Sequence, residues 1–232
     1  MRLGRAIATG LADAGADIVI HYRSSRAQAE EAVATLSDGR VRVDLIQADL
    51  ADPGDAESLI DRAWDTAGPI DMLVNSASRF PSGRLESLDF PALTDIVALN
   101  AWAPFALTRS LAARIDAGAV VNMLDTRIMG EDLPHAGYHV SKRMLADLTR
   151  MTALELAPGI RVNAVAPGYI LPPPDQDRAY LERRAREVPL GRPGSPGDIA
   201  GAVVYLMRSD YVTGQTIFVD GGQSLAPERA TT

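Results

Sequence analysis

Tyr138 and Lys142 stand four residues apart in the segment Asp125 to Lys142, which is where the chemistry of this chain is best placed. At that spacing on a helix two side chains project from one face, so the ammonium can sit near the phenol and favour its ionised form. A phenol tuned in this way is a usable proton donor and acceptor near neutral pH. A lone Tyr/Lys pair is also common on ordinary helix surfaces, so its meaning depends on the elements that position it.

Those elements alternate. Residues 2–14 place Leu3, Ile7, Leu11 and Ala14 on one helical face, and Gly15 is a natural stop. Runs at 17–22, 42–48, 71–75, 119–124, 160–165 and 216–220 read as strands. Helices are expected over 25–36, 53–67, about 90–115, about 138–156, up to about 187 after Pro172, Pro173 and Pro174, and 198–207. The long helix containing Tyr138 is assigned Met144, Leu145, Leu148, Met151 and Thr152 as its apolar stripe. Strand and helix in strict alternation predict a single α/β domain over residues 1–232, a doubly wound parallel sheet. In such sheets ligands bind beyond the carboxyl ends of the strands. The loops after Tyr22, Asn75, Leu124 and Val165 should therefore line one crevice, with Asp125 delivered by the fourth strand.

Composition excludes several function classes. A net charge of −7 and a pI near 5.0, with no basic cluster, disfavour nucleic acid. The absence of cysteine excludes disulfides and thiolate metal sites. The apolar run Ile96 to Thr108 contains Asn100 and Pro104 and is too short to span a bilayer, and Arg2, Arg5 and Asp13 break any secretory signal. A cytoplasmic protein with a small-molecule substrate, without nucleic acid or membrane partners, is the expectation. His135 and His139 lack metal-ligand spacing and read as loop and surface residues, so no metal is expected. The run Glu182 to Glu187, interleaved with arginines, reads as a solvated helix face.

Six short signatures then fall in order: Asp49-Leu50, Leu73-Val-Asn-Ser-Ala-Ser78, Leu99-Asn100-Ala101, Tyr138-x-x-x-Lys142, Arg161-Val-Asn-Ala-Val-Ala-Pro-Gly168, and Val212-Thr-Gly-Gln-x-Ile-x-Val-Asp-Gly-Gly222. Each is weak alone; as an ordered set covering essentially the whole chain they resemble the short-chain dehydrogenase/reductase family, whose fold is Rossmann-like. The resemblance implies that Asn100, Tyr138 and Lys142 are catalytic. Tyr138 would be the proton donor, Lys142 would hold the nicotinamide ribose and lower the Tyr138 pKa, and Asn100 would support a water relay to Lys142. It also implies a homotetramer, adenine contact by Asp49 with Leu50 beside it, and a nicotinamide half bordered by Asn75, Ala77, Pro167 and Gly168.

Two departures narrow the resemblance. Asp125 stands where most members carry a serine, and the usual Asn-Asn-Ala-Gly is here Asn75-Ser76-Ala77-Ser78, followed by Arg79-Phe80. With the opening Arg2-Leu3-Gly4-Arg5, these features resemble the pteridine reductases and dihydromonapterin reductases. That likeness implies that Asp125 works with Tyr138 in protonating a pterin, and that Phe80 stacks over its flat ring. Read from residue type alone, Asp125 is better explained as a turn or helix cap, and Phe80 as core packing.

Cofactor choice follows from the end of the first strand, His21-Tyr22-Arg23-Ser24-Ser25, which has no acid before Glu30. A guanidinium with adjacent hydroxyls suits a 2′-phosphate, so NADPH is expected over NADH, with Arg23 and Ser24 as contacts. By resemblance, Arg2 and Gly4 are the last residues of a glycine-rich phosphate loop whose opening strand and first glycines are not in the sequence. That strand would be central, so a gap is expected between the strands at 17–22 and 71–75. Either the true start lies upstream or the product is a poorly folding or cofactor-free form; the intact downstream residues favour the first. Two other functions stay open: reduction of a keto group on an acyl or sugar-like substrate, and a non-catalytic binding role.

Overall fold

The structure is a computed structural model that describes residues 2–37, 39–173, 176–186 and 188–225. Helix α1 (Arg2–Asp13) leads through Gly15, at φ +92°, into β1 (Ile18–Tyr22), and α2 (Arg26–Leu36) and β2 (Val43–Gln47) follow. Only a residue without a Cβ turns at that positive φ without strain. Next come α3 (Pro53–Ala67), β3 (Met72–Asn75), α4 (Phe90–Val97), α5 (Ala103–Ala112), β4 (Gly118–Met123), α6 (Ala136–Glu155) and β5 (Ile160–Pro167). The order closes with α7 (Arg178–Ala185), α8 (Pro196–Arg208) and β6 (Thr216–Val219). Local chemistry sets many of these boundaries. Asp52 and Asp89 cap α3 and α4 through their carboxylates, and Ser195 with Asp198 forms a reciprocal capping box on α8.

All strand pairs are parallel, but they form two sheets. β1 pairs with β2, and β3, β4, β5 and β6 pair in that order. The gap expected between residues 17–22 and 71–75 is therefore present: among the described residues no strand bonds the facing edges of β1 and β3. The core is built on β4 and β5. Val120 and Val162 pack with Leu59, Ile60, Leu107 and Leu111 on one face, while Val121 and Val165 pack with Ile7, Ile199, Val203 and Leu206 on the other. Burying each such side chain contributes roughly 1.5–3 kcal/mol, which is why both strands read as unbroken apolar runs.

One expectation needs correction. The stripe assigned to α6 is partly solvent-facing, since Met144 and Met151 are exposed. The buried face is instead Tyr138, Ser141, Lys142, Leu145, Thr149 and Thr152, because the helix turns its reactive residues toward the sheet and apolar periodicity does not report them. The helical stretch Phe90–Ala112, which contains the apolar run Ile96 to Thr108, is long and apolar enough to cross a bilayer by length and composition alone. The stretch is longer than the run because α4, a π-helical turn at Ala98–Trp102 and α5 stack end to end, and it packs on α3 and α6 as a core helix. Within the run expected to be a solvated face, α7 ends at Ala185, its Leu181 is buried, and Glu187 lies outside the described residues.

Candidate active site

The fourth strand ends by delivering Asp125 in extended backbone (φ −151°, ψ 142°) onto a short 3-10 turn at Thr126–Met129. Its two carboxylate oxygens are divided between structure and chemistry. Oδ1 accepts the Arg127 amide at 2.9 Å, capping the turn, and Oδ2 accepts the Tyr138 hydroxyl at 2.8 Å. One carboxylate thus both caps the turn and accepts from the Tyr138 hydroxyl. Tyr138 sits in the first turn of α6, nearly buried. Burial, followed by the charge and hydrogen bond of Asp125, raises its pKa well above that of an ordinary phenol.

The direction is opposite to the lowering expected from Lys142, because burial and Asp125 dominate. The Lys142 Nζ lies 5.8 Å from the Tyr138 ring centroid and donates to the Met123 carbonyl at 2.7 Å. Complete burial lowers its own pKa to about 8, with the Asp125 charge opposing. One of the three ammonium donors is taken by Met123, which leaves hydrogen-bonding capacity for a polar ligand.

Asn100 lies in the π-helical turn, a local insertion frequent at functional positions. Its Oδ1 accepts from the Arg79 amide at 3.0 Å and the Ser78 hydroxyl at 3.2 Å. Its Nδ2 donates to the Arg79 carbonyl at 3.0 Å and Ser141 Oγ at 3.1 Å. The amide therefore clamps the loop that carries Phe80 rather than reaching Lys142, since both of its ends are engaged elsewhere.

Phe80 is 45% exposed and so is not core packing. Its ring stacks on His135 at 4.1 Å and meets Tyr138 edge-on at 4.5 Å, with the Arg127 guanidinium 4.9 Å away. Arg127 pairs with Asp132, and His135 Nδ1 lies 2.9 Å from the same carboxylate. Burial alone would raise Asp132, but hydrogen bonds from His135 and Arg127 bring its pKa below the ordinary value. A parallel bridge between Gly83 and His135 joins the two loops. The sequence reading missed Arg127, Asp132 and His135; the only signal was their crowding into the same segment as Tyr138. His139, read as a surface residue, is buried, because the fourth position of α6 turns inward beside Tyr138.

The expected cofactor residues divide. Gly4, Arg23, Ser24, Asp49, Leu50, Asn75 and Ala77 all line one cavity of about 970 Å³ between the two sheets. Arg23, Ser24 and Ser25 are exposed at its mouth. Leu50 is buried, the Asp49 carboxylate accepts the Ala51 amide at 3.0 Å, and the Asn75 amide turns inward to Asn122 Oδ1 at 2.8 Å. Pro167 ends β5. Gly168 must be glycine because a Cβ there would meet Asp220 Cα at 2.7 Å. The Arg2 side chain lies outside the described residues. Cation and hydroxyls at one end and the N-terminus of α1 near Ser76 form a donor set that fits a phosphorylated dinucleotide. No group of three or more His, Cys, Asp or Glu among the described residues could hold a metal.

A family model described as enoyl-(acyl carrier protein) reductase matches residues 2–224. The chain belongs to the short-chain dehydrogenase/reductase family. As a family member it is an oxidoreductase, and its solved and curated relatives cover nearly all of its length. FolM alternative dihydrofolate reductase 1 from Brucella canis, in a crystal structure with NADP, is 34% identical with a TM-score of 0.91, over 99% of this chain and 93% of that one. Pteridine reductase 1 of Leishmania tarentolae is 33% identical over 97% of this chain and 93% of its own length. The 3-oxoacyl-acyl-carrier-protein reductase FabG of Staphylococcus aureus is 31% identical over 95% and 93%.

Proposed function

We propose that this short-chain reductase uses NADPH to reduce a pterin or a similarly flat nitrogen heterocycle, with Tyr138 and Asp125 delivering the proton. The observation that carries this reading is the 2.8 Å bond from the Tyr138 hydroxyl to Asp125, beside the half-exposed ring of Phe80. A pterin presents a ring nitrogen that needs a proton as hydride arrives at the adjacent carbon, and it presents a flat face for an aromatic to cover. NADPH, when bound, supplies the hydride. Arg23 and Ser24 would hold its 2′-phosphate and Lys142 its nicotinamide ribose.

The raised pKa of Tyr138 sets how the proton moves. A phenol held protonated beside a carboxylate is a poor acid by itself. Asp125, whose side chain is 22% exposed, can take a proton from solvent. Tyr138 gives its proton to the ring nitrogen and takes one from Asp125, so neither residue ends with a charge it did not start with. The printed names of FolM and pteridine reductase 1 support the substrate class, and FabG supports a 3-oxoacyl thioester as the second reading.

The test is NADPH oxidation by the purified protein with dihydrobiopterin and with a 3-oxoacyl thioester, for wild type and Asp125→Ser. Pterin turnover that falls about 10²-fold in the variant supports the reading. Thioester turnover kept or raised by Asp125→Ser, with no pterin turnover by wild type, replaces it with the second. Absence of NADPH binding by calorimetry together with a cooperative melt would instead leave a non-catalytic role. Phe90, Met151 and Leu154, exposed on α4 and α6, are the apolar residues we assign to contacts of a homotetramer, which light scattering measures.

A further inference from the structure

We propose that Asp132 is a positioning residue of the reductase site: its carboxylate holds Arg127 and His135 together and through them fixes the Phe80 ring against Tyr138. The inference rests on the pterin reading above, which makes Phe80 the surface that a flat ring covers, and extends it to a residue that touches neither substrate nor cofactor.

The loop that carries Asp132 is held by its backbone. The Arg143 guanidinium donates to the Ile128 and Gly130 carbonyls at 3.2 and 2.8 Å. The His135 amide donates to the Asp132 carbonyl at 3.1 Å, the Gly83 amide to the Pro134 carbonyl at 2.8 Å, and the Ala136 amide to the Gly83 carbonyl at 2.9 Å. None of these bonds uses the Asp132 carboxylate, so the path of the chain is set without it. The Asp132 side chain is nevertheless only 9% exposed. Burying a carboxylate is costly and its ion pairs offset that cost only in part, so an apolar side chain often serves stability as well.

What the carboxylate does is visible in its partners, which both border Phe80. Oδ2 accepts from the Arg127 guanidinium, and Oδ1 lies 2.9 Å from His135 Nδ1. His135 stacks on the Phe80 ring at 4.1 Å with the planes 23° apart, and the Arg127 guanidinium carbon is 4.9 Å from the same ring centre. Arg127 and His135 approach each other to 3.3 Å, too close to sandwich the ring between them, so they form one wall. Tyr138 stands perpendicular to the ring, at 89° and 4.5 Å. The part of Phe80 left exposed is what a substrate ring can cover.

Charge explains why this wall needs an acid. With Nδ1 carrying the proton that Asp132 accepts, guanidinium and imidazole are two donors 3.3 Å apart, and they stay together only while a carboxylate accepts from both. Burial works against the ionised form, and the bonds from His135 and Arg127 outweigh it and keep Asp132 ionised. An amide in its place would keep one acceptor and add a third donor. Arg127 and His135 would then part, and Phe80 would lose its stacked neighbour and its fixed angle to Tyr138.

The experiment reads the ring and the reaction separately. The full chain is labelled with 4-fluorophenylalanine, and the fluorine resonance of Phe80, one of four phenylalanines, is assigned by its loss in Phe80→Leu. Asp132→Asn is expected to move that resonance toward the position of the free amino acid and to leave the others in place. With NADPH and dihydrobiopterin, Asp132→Asn should raise KM for the pterin about tenfold, change kcat less than about threefold and leave Kd for NADPH unchanged. A double-mutant cycle tests the route: in a Phe80→Leu background Asp132→Asn should raise KM no further, because the ring it positions is gone. His135→Asn, which removes the stacked ring, should move the same resonance and raise the same KM, and it decides the matter if Asp132→Asn does not melt cooperatively. An unmoved Phe80 resonance, an unchanged KM or additive effects in the cycle overturns the proposal. Absence of dihydrobiopterin turnover by wild type would sink the pterin reading instead, and the fluorine resonance would then decide by itself whether Asp132 positions the ring.

Discussion

The corner around Tyr138 and the crevice at Arg23 and Ser24 lie at the same end of the fold, yet one is closed and the other open. Around Tyr138 every neighbour is held by more than one bond: Asp125 by Arg127 and Tyr138, Asn100 by Ser78, Arg79 and Ser141, and Phe80 by rings on two sides. Around Arg23 and Ser24 the residues are exposed, and the strand beneath them is bonded on one edge alone. The difference teaches that loops clamped onto a four-stranded sheet can be held closed while the neighbouring two-stranded sheet carries an exposed mouth on a far smaller unit.

The largest expected break of this contrast is at the closed corner. Tyr138→Phe keeps the packing against Phe80 and removes the hydroxyl, so turnover should fall about 10²–10⁴-fold with Tm little changed; steady-state rates and a thermal melt check both. Next, amides of β4 and β5 should exchange about 10²-fold or more slowly than those of β1 and β2, because the small sheet opens locally before the large core does. Hydrogen exchange read by mass spectrometry decides this, and equal protection would erase the contrast.

The buried Lys142 gives a pH test of nearly the same size. Its folded pKa of about 8 lies below the unfolded value near 10.5, so the folded state is penalised wherever the lysine is charged. Stability should rise as pH increases from about 8 to 10.5 and be lost as pH falls through 8, by up to about 3 kcal/mol. Lys142→Met should remove that slope in denaturant titrations of the free protein. The smallest effect lies at the open mouth: Arg23→Ala should raise KM for NADPH about tenfold and leave KM for NADH nearly unchanged, consistent with loss of one charge-assisted contact of about 1.5 kcal/mol.

Legibility in the sequence followed the physics of each signal. Strands β4 and β5 were readable to within a residue or two because burial on both faces leaves an unbroken apolar run. The buried face of α6 was not, because it is made of Tyr138, Ser141, Lys142 and Thr149, whose polarity is compensated by partners on other elements. Asp125 was legible as a departure from a familiar pattern. Arg127, Asp132 and His135 were not, since only folding brings a 3-10 turn, a loop and the Phe80 loop to one ring stack.

Residue order by itself determined the alternation of strand and helix and the membership of Asp125, Tyr138 and Lys142 in one segment, since each follows from local periodicity or from residue spacing. Tertiary structure alone decided that Tyr138 is held protonated by burial and Asp125, that Lys142 faces the Met123 carbonyl, and that Asn100 holds the Phe80 loop. Those outcomes depend on desolvation and on distances of a few ångströms between residues far apart in the chain, quantities that no local pattern encodes.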